Sequence, residues 1–144
     1  MANIMRNINV IYRCENMYRA QKSSENLPGI YHSYIFVICK NPGLSQDKLA
    51  KKLCVNKSNV TRHLAFLESG GYIERRPGTD KREMLIYPTD KIKAIYPEIQ
   101  GISSEWRNLL LQAVDSEELC AFENTLQKLA AKAAEIIYST EDKQ

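Results

Sequence analysis

Apolar residues recur about one helical turn apart between residues 4 and 20, where Ile4, Ile8, Ile11, Tyr12, Cys14 and Tyr18 mark one side of an amphipathic helix. The turn formers of Lys22-Ser-Ser-Glu-Asn-Leu-Pro-Gly29 end it. A second helix is expected over residues 31–40. It is apolar nearly all round at Ile35, Phe36, Val37 and Ile38, so it should run through the core until Asn41-Pro-Gly43 stops it.

The next stretch carries two short amphipathic helices in quick succession. Ser45 is a good N-cap for residues 46–53, with Leu49, Ala50 and Leu53 facing inward. Asn56 is a good N-cap for residues 57–69, with Val60, Leu64 and Leu67 at i, i+4 and i+7, and Gly70-Gly71 ends that helix. Only the residues around Cys54 and Val55 separate the two, which is helix-turn-helix spacing. Ala50 takes the tight crossing position, and Cys54 stands where glycine is usual in the turn. Two strands follow, residues 72–76 and 83–87, joined by Pro77-Gly-Thr-Asp-Lys-Arg82, with Pro88 expected to block further pairing. The hairpin after the helix-turn-helix makes a winged helix.

Helical periodicity returns over residues 90–113, and again after the capping-box-like start Asp115-Ser-Glu-Glu118, running to about residue 138. In the last helix Leu119, Phe122, Leu126, Leu129, Ala130, Ala133, Ile136 and Ile137 form one apolar stripe. A small winged domain has too little surface to cover it. A two-fold partner is the economical way to bury it, with fold-back on the first helix as the alternative.

Composition narrows the class. At 144 residues, with 44% hydrophobic and 26% charged, the chain is expected to form a single ordinary globular domain. No apolar run reaches the roughly 20 residues that span a bilayer, and no secretory signal is visible, so a cytoplasmic protein without a membrane partner is expected. Cys14, Cys39, Cys54 and Cys120 are scattered, and His32 and His63 are isolated, so neither a disulfide framework nor a metal site is indicated, and no cofactor is implied. The net charge of +3 is unevenly spread. Residues 45–91 hold 10 Lys and Arg against 6 Asp and Glu, whereas residues 92–144 hold 5 against 9. A basic centre suits a polyanion.

The polar face of the second short helix gives that polyanion a shape. Lys57, Ser58, Asn59, Thr61, Arg62 and His63 supply short donors and acceptors at the helix N-terminus, with an arginine able to fork onto guanine in a major groove. Capping alone would explain Asn56 and Ser58, but turn, wing and charge all agree with reading duplex DNA. Lys81 and Arg82 at the hairpin tip would reach the neighbouring minor groove or its phosphates, with Asp80 orienting an arginine or shaping the turn. Arg75 and Arg76 are weaker candidates, because alternate strand residues face opposite sides. No nucleophile-base pair, phosphate-cradling loop or carboxylate pair points to an enzyme.

The chain resembles the MarR family of bacterial winged-helix transcriptional regulators. The resemblance rests on Leu49-Ala50, on Asn56-Lys-Ser-Asn-Val-Thr-Arg62, on Leu67-Glu-Ser-Gly-Gly-Tyr-Ile73, on the wing Asp80-Lys-Arg82, and on Leu85-Ile-Tyr-Pro-Thr89. It implies a mainly α fold with a small β-hairpin wing. The winged-helix lobe at residues 30–89 would be flanked by dimerisation helices at 1–22 and 90–144. It also implies a homodimer on a palindromic operator, a repressor released by a small aromatic or apolar effector. Ser58, Asn59, Thr61 and Arg62 map to the reading face and Arg82 to the wing tip. The effector cleft would draw on Tyr12, Tyr18, Tyr31, Tyr34 and Trp106, and oxidation-sensing members suggest Cys14 as an alternative sensor. A winged-helix protein-interaction module without DNA binding is the reading from another class.

Overall fold

The computed structural model describes residues 3–141. Residues 1, 2 and 142–144, which belong to the expected flanking segments, lie outside the described residues. The chain falls into two compact units, Met1–Trp106 and Arg107–Gln144.

The first unit opens with α1 (Ile4–Lys22), capped by Asn3, whose side chain accepts the Arg6 N–H. α2 (Ile30–Lys40) follows and is the centre of the core, with Tyr31, Tyr34, Ile35 and Ile38 buried. The two helices approach closely where Gly29 meets Asn16: a Cβ at Gly29 would run into the Asn16 carbonyl. α3 (Gln46–Leu53) and α4 (Lys57–Ser69) have the expected caps, Ser45 accepting from the Lys48 N–H and Asn56 from the Asn59 N–H. Leu49, Val60, Leu64 and Leu67 are fully buried, and Ala50 nearly so.

Both helices end in the same six-residue motif. Val55 N–H reaches the Ala50 carbonyl and Cys54 N–H that of Lys51, just as Tyr72 reaches Leu67 and Gly71 reaches Glu68. The motif needs one left-handed residue. Gly71 supplies it at φ +78°, and Cys54 supplies it at φ 52° without glycine's freedom.

The wing is a three-stranded antiparallel sheet in the order β1-β3-β2, from β1 (Leu44–Ser45), β2 (Ile73–Pro77) and β3 (Met84–Pro88). The strands lie one residue later than the sequence pattern placed them, and Pro88 does not block pairing: it sits opposite Ile73, and Pro77 sits opposite Met84. The hydrogen bonds Thr89 N–H to Tyr72 and Gly78 N–H to Glu83 bracket the ladder. Both prolines therefore occupy non-hydrogen-bonded positions, where a missing N–H costs nothing. The two-residue β1 was not expected, being too short to show a period.

α5 (Asp90–Leu111) sends Ile92 and Ile99 into the same core and carries Pro97 in its interior. Polar groups are also buried here. Arg19 donates to Glu15 at 2.8 Å and to Ser33 at 3.1 Å, and His32 is wholly buried. Burial first, then the nearby Arg19 charge, lowers the His32 pKa to about 4.

In the second unit α6 (Ser116–Glu141) begins with the Glu118 carboxylate accepting the Asp115 N–H, as the capping pattern predicted. Its apolar stripe is exposed in the single chain: Phe122, Leu129, Ile136 and Ile137 are each about half accessible.

Candidate nucleic-acid interface

Asn56 organises the start of α4. Its Oδ1 accepts the Asn59 N–H at 2.8 Å and the Ser58 hydroxyl at 2.9 Å. Asn59 Oδ1 in turn accepts from Arg62 at 2.9 Å, so the guanidinium leans along the exposed face toward the helix N-terminus. Thr61 donates to the Lys57 carbonyl at 3.0 Å and accepts from Gln46 Nε2 at 2.8 Å. Lys57 lies 3.8 Å from Asp47, with both side chains about three-quarters exposed, which makes a weak and screened pair. Lys57, Ser58, Thr61 and Arg62 are exposed and Asn59 half-buried. These five share one outward polar surface.

His63 is directed elsewhere. Its Nδ1 lies 2.7 Å from the Tyr34 hydroxyl, and the rings of Tyr31 and Tyr34 meet it edge-on at 5.5 and 5.3 Å. Burial, and then the Arg62 charge beside it, lowers its pKa, so the imidazole is neutral. The Tyr34 phenol is pushed up to about 12, chiefly by burial, and stays protonated. A protonated phenol beside a neutral imidazole lets Tyr34 donate to Nδ1 when the ring carries its proton on Nε2.

At the wing tip Asp80 accepts the backbone N–H of Arg82 at 3.1 Å through its carboxylate, and that of Glu83 through its carbonyl at 2.9 Å. Asp80 thus shapes the turn rather than holding a guanidinium. Lys81 and Arg82 are exposed. Arg75 and Arg76 point opposite ways, as strand alternation requires: Arg75 forks onto Glu68 of α4, and Arg76 pairs with Glu74 and lies 4.4 Å over the Tyr87 ring. A cleft of about 200 Å³ separates the start of α3 from the tip end of the wing, lined by Ser45, Gln46, Asp47, Arg82, Glu83 and Met84. Gln46 was not singled out from sequence. It is the residue that touches both Thr61 of the helix and the cleft holding Arg82. The only sequence signal was its place just after the N-cap of the first short helix.

Of the five aromatic residues expected around an effector, Tyr12 and Tyr31 lie close enough to Tyr34 to raise its pKa. Tyr31 and Tyr34 cluster with His63, and Tyr31 stacks on Phe66 at 4.5 Å and 9°. Tyr18 packs instead against Trp106 at 5.3 Å, and Tyr12 is 54% exposed. Phe66 was not anticipated. Cys14, Cys54 and Cys120 are exposed, while burial pushes the Cys39 thiol up. Among the described residues no group of His, Cys, Asp and Glu could hold a metal, and no helix is long and apolar enough to cross a membrane.

Comparison with known proteins matches this geometry. The sequence profile of the MarR family matches residues 32–84, the segment from α2 to the start of β3. The chain is 31% identical over 108 residues to the uncharacterized HTH-type transcriptional regulator YwoH of Bacillus subtilis, covering 72% of this chain and 79% of that one. It is 30% identical over 110 residues to the HTH-type transcriptional regulator BilQ of Clostridium symbiosum, covering 76% and 75%. The fold superposes with a TM-score of 0.86 on a Listeria monocytogenes protein assigned to the MarR family and crystallised with a 26mer DNA. That match has 26% identity and spans 98% of this chain and 96% of the other. With a helix-turn-helix, a wing and these relatives, the chain belongs to the MarR family of DNA-binding, winged helix-turn-helix transcriptional regulators.

Proposed function

We propose that the chain is a homodimeric, cytoplasmic repressor of a palindromic operator. It reads bases and phosphates through Lys57, Ser58, Asn59, Thr61 and Arg62, grips the flanking backbone through Lys81 and Arg82, and is released by a small aromatic or apolar effector. Residues 30–89 are the reading lobe, and the segments 1–22 and 90–144, which contain α1, α5 and α6, carry dimerisation. The observation that carries the reading is the link through Gln46. Its bond to Thr61 and its place in the cleft that Arg82 also lines support a reading in which the polar start of α4 and the wing serve one side of the lobe. A helix N-terminus in a major groove with a basic tip beside it needs that arrangement. Two-fold symmetry of the protein then dictates an inverted repeat. The exposed stripe of α6 supports a partner of the same chain, and the Tyr31, Tyr34 and Phe66 rings beside α4 support a flat effector that acts on the reading helix.

Selection of bound duplexes from a random library, followed by affinity at two salt concentrations, tests the reading. The expected result is an inverted repeat with half-sites about one helical turn apart, and affinity that falls steeply with salt. A folded dimer that enriches no sequence would overturn it. Addition of small aromatic acids and phenols to the operator complex then tests release.

A further inference from the structure

The sequence groups His63 with the DNA-reading residues, but the fold turns its ring away from them. We infer that His63 is a positioning residue, and that the Tyr34–His63 hydrogen bond is a latch fixing the register of the reading helix α4 against the core helix α2. The inference rests on the DNA-reading proposal above.

Tyr34 is rigidly placed, being only 3% exposed on a helix that is itself the core. A buried phenol needs a partner for its hydroxyl, and His63 Nδ1 at 2.7 Å is that partner. The imidazole is confined on two sides, edge-on to Tyr31 and to Tyr34. His63 directly follows Arg62 and lies one turn beyond Asn59, the two residues joined across the exposed face. One side of this turn of α4 is therefore held by α2 while the other presents the reading groups. A hydrogen bond of this length is lost after a slide or rotation of under about 1 Å. Base readout is as demanding, because bidentate contacts require similar precision. Nonspecific attraction to phosphates does not, since it depends on charge more than on register. The latch should therefore matter for discrimination and not for general affinity.

The test uses the full chain, the selected operator and a scrambled duplex of equal length. Tyr34→Phe removes the donor, His63→Leu removes the acceptor, and His63→Asn restores an acceptor oxygen near the same place. The expected result is a loss of about five- to tenfold in operator affinity for Tyr34→Phe and for His63→Leu. Scrambled-duplex affinity should stay unchanged, His63→Asn should be close to wild type, and the double variant should be no worse than either single. Ring-nitrogen NMR of His63 should show one neutral tautomer with Nδ1 accepting, and lose it in Tyr34→Phe without any DNA present. Loss in His63→Leu but not in Tyr34→Phe would make His63 a direct base reader and overturn the latch. So would a parallel loss on scrambled duplex, or a mixed tautomer in the wild type. A wild-type chain that does not tell operator from scrambled duplex would overturn the DNA-reading proposal, and this inference with it, whatever the tautomer.

Discussion

Arg75 of β2 forks onto Glu68 of α4, with Nε and one terminal nitrogen each 3.0 Å from a different carboxylate oxygen. The pair ties the wing to the end of the reading helix. The hydrogen bonds from Arg75 hold the Glu68 carboxyl below its ordinary range. Both side chains are partly exposed, so the pair is worth about 0.5–1 kcal/mol. Glu68→Gln should cost that much at pH 7. Since the folded-state pKa is depressed, the contribution is complete above the unfolded carboxyl range and is lost as pH falls through the lower folded value. Urea unfolding of both proteins should show the gap closing as pH falls below the ordinary carboxyl range; a gap that persists would assign the loss to packing.

Cys54 adopts φ 52° at the end of α3, where the matching residue of α4 is Gly71 at φ +78°. A side chain in the left-handed region costs roughly 1–2 kcal/mol, and glycine gives back part of the relief as unfolded-state entropy. Because Cys54 is exposed, no packing is lost. Cys54→Gly should stabilise the chain by about 0.5–1 kcal/mol with DNA affinity unchanged, as read by urea unfolding and duplex titration. Destabilisation would mean that the thiol, 3.5 Å from the Lys51 carbonyl, contributes more than the strain takes away.

This turn also shows what was legible in the sequence. The helices were, because Ser45, Asn56 and Gly71 act locally and the apolar period of 57–69 needs no tertiary partner. The strand ends were not: Pro77 and Pro88 read as breakers, and only the register reveals that their missing N–H groups fall on non-hydrogen-bonded positions. The site divides in the same way. Lys57, Ser58, Thr61 and Arg62 are exposed by helix geometry alone. The contacts of His63 with Tyr34, of Phe66 with Tyr31 and of Gln46 with Thr61 join residues distant in sequence, so only the fold brings them together.

His32 gives a pH dependence with a definite sign. Its pKa falls from 6.5 to about 4 on burial beside Arg19, with Glu98 opposing the shift. Between those values the unfolded chain binds a proton that the folded chain refuses. Stability is therefore complete above about pH 6.5 and declines as pH falls to about 4, by roughly 3 kcal/mol at most. His32→Gln should flatten this slope in urea unfolding across the window. The residual slope should belong to His63, whose pKa is lowered in the same direction, and in the carboxyl range to Glu68. An unchanged slope in His32→Gln would show that the imidazole is not held neutral.

Arg62 and Arg82 should separate by the kind of loss they cause. Arg62→Ala should cost about 1–3 kcal/mol on the operator and relax preference at one position in each half-site. Arg82→Ala should weaken binding to all sequences alike and lower the salt slope by about 1 for each phosphate that the wing no longer neutralises. Neither side chain is needed for the core, so both variants should unfold like the wild type. Equal losses on operator and scrambled duplex for Arg62→Ala would remove it from base reading.

The stripe on α6 tests the dimer most directly. Leu129 is 48% exposed in the single chain, and Phe122, Ile136 and Ile137 are 53%, 55% and 58% exposed. On a monomer Leu129→Asp would be nearly neutral, as surface substitutions usually are. In a dimer that buries the stripe, it would place a carboxylate without a partner in an apolar interface, at a cost of several kcal/mol. Sedimentation velocity should therefore show wild-type dimer and Leu129→Asp monomer at micromolar concentration. Operator affinity should fall much further than affinity for an isolated half-site, because only a dimer gains from binding two half-sites at once. A variant that stays dimeric would move the interface off this face of α6.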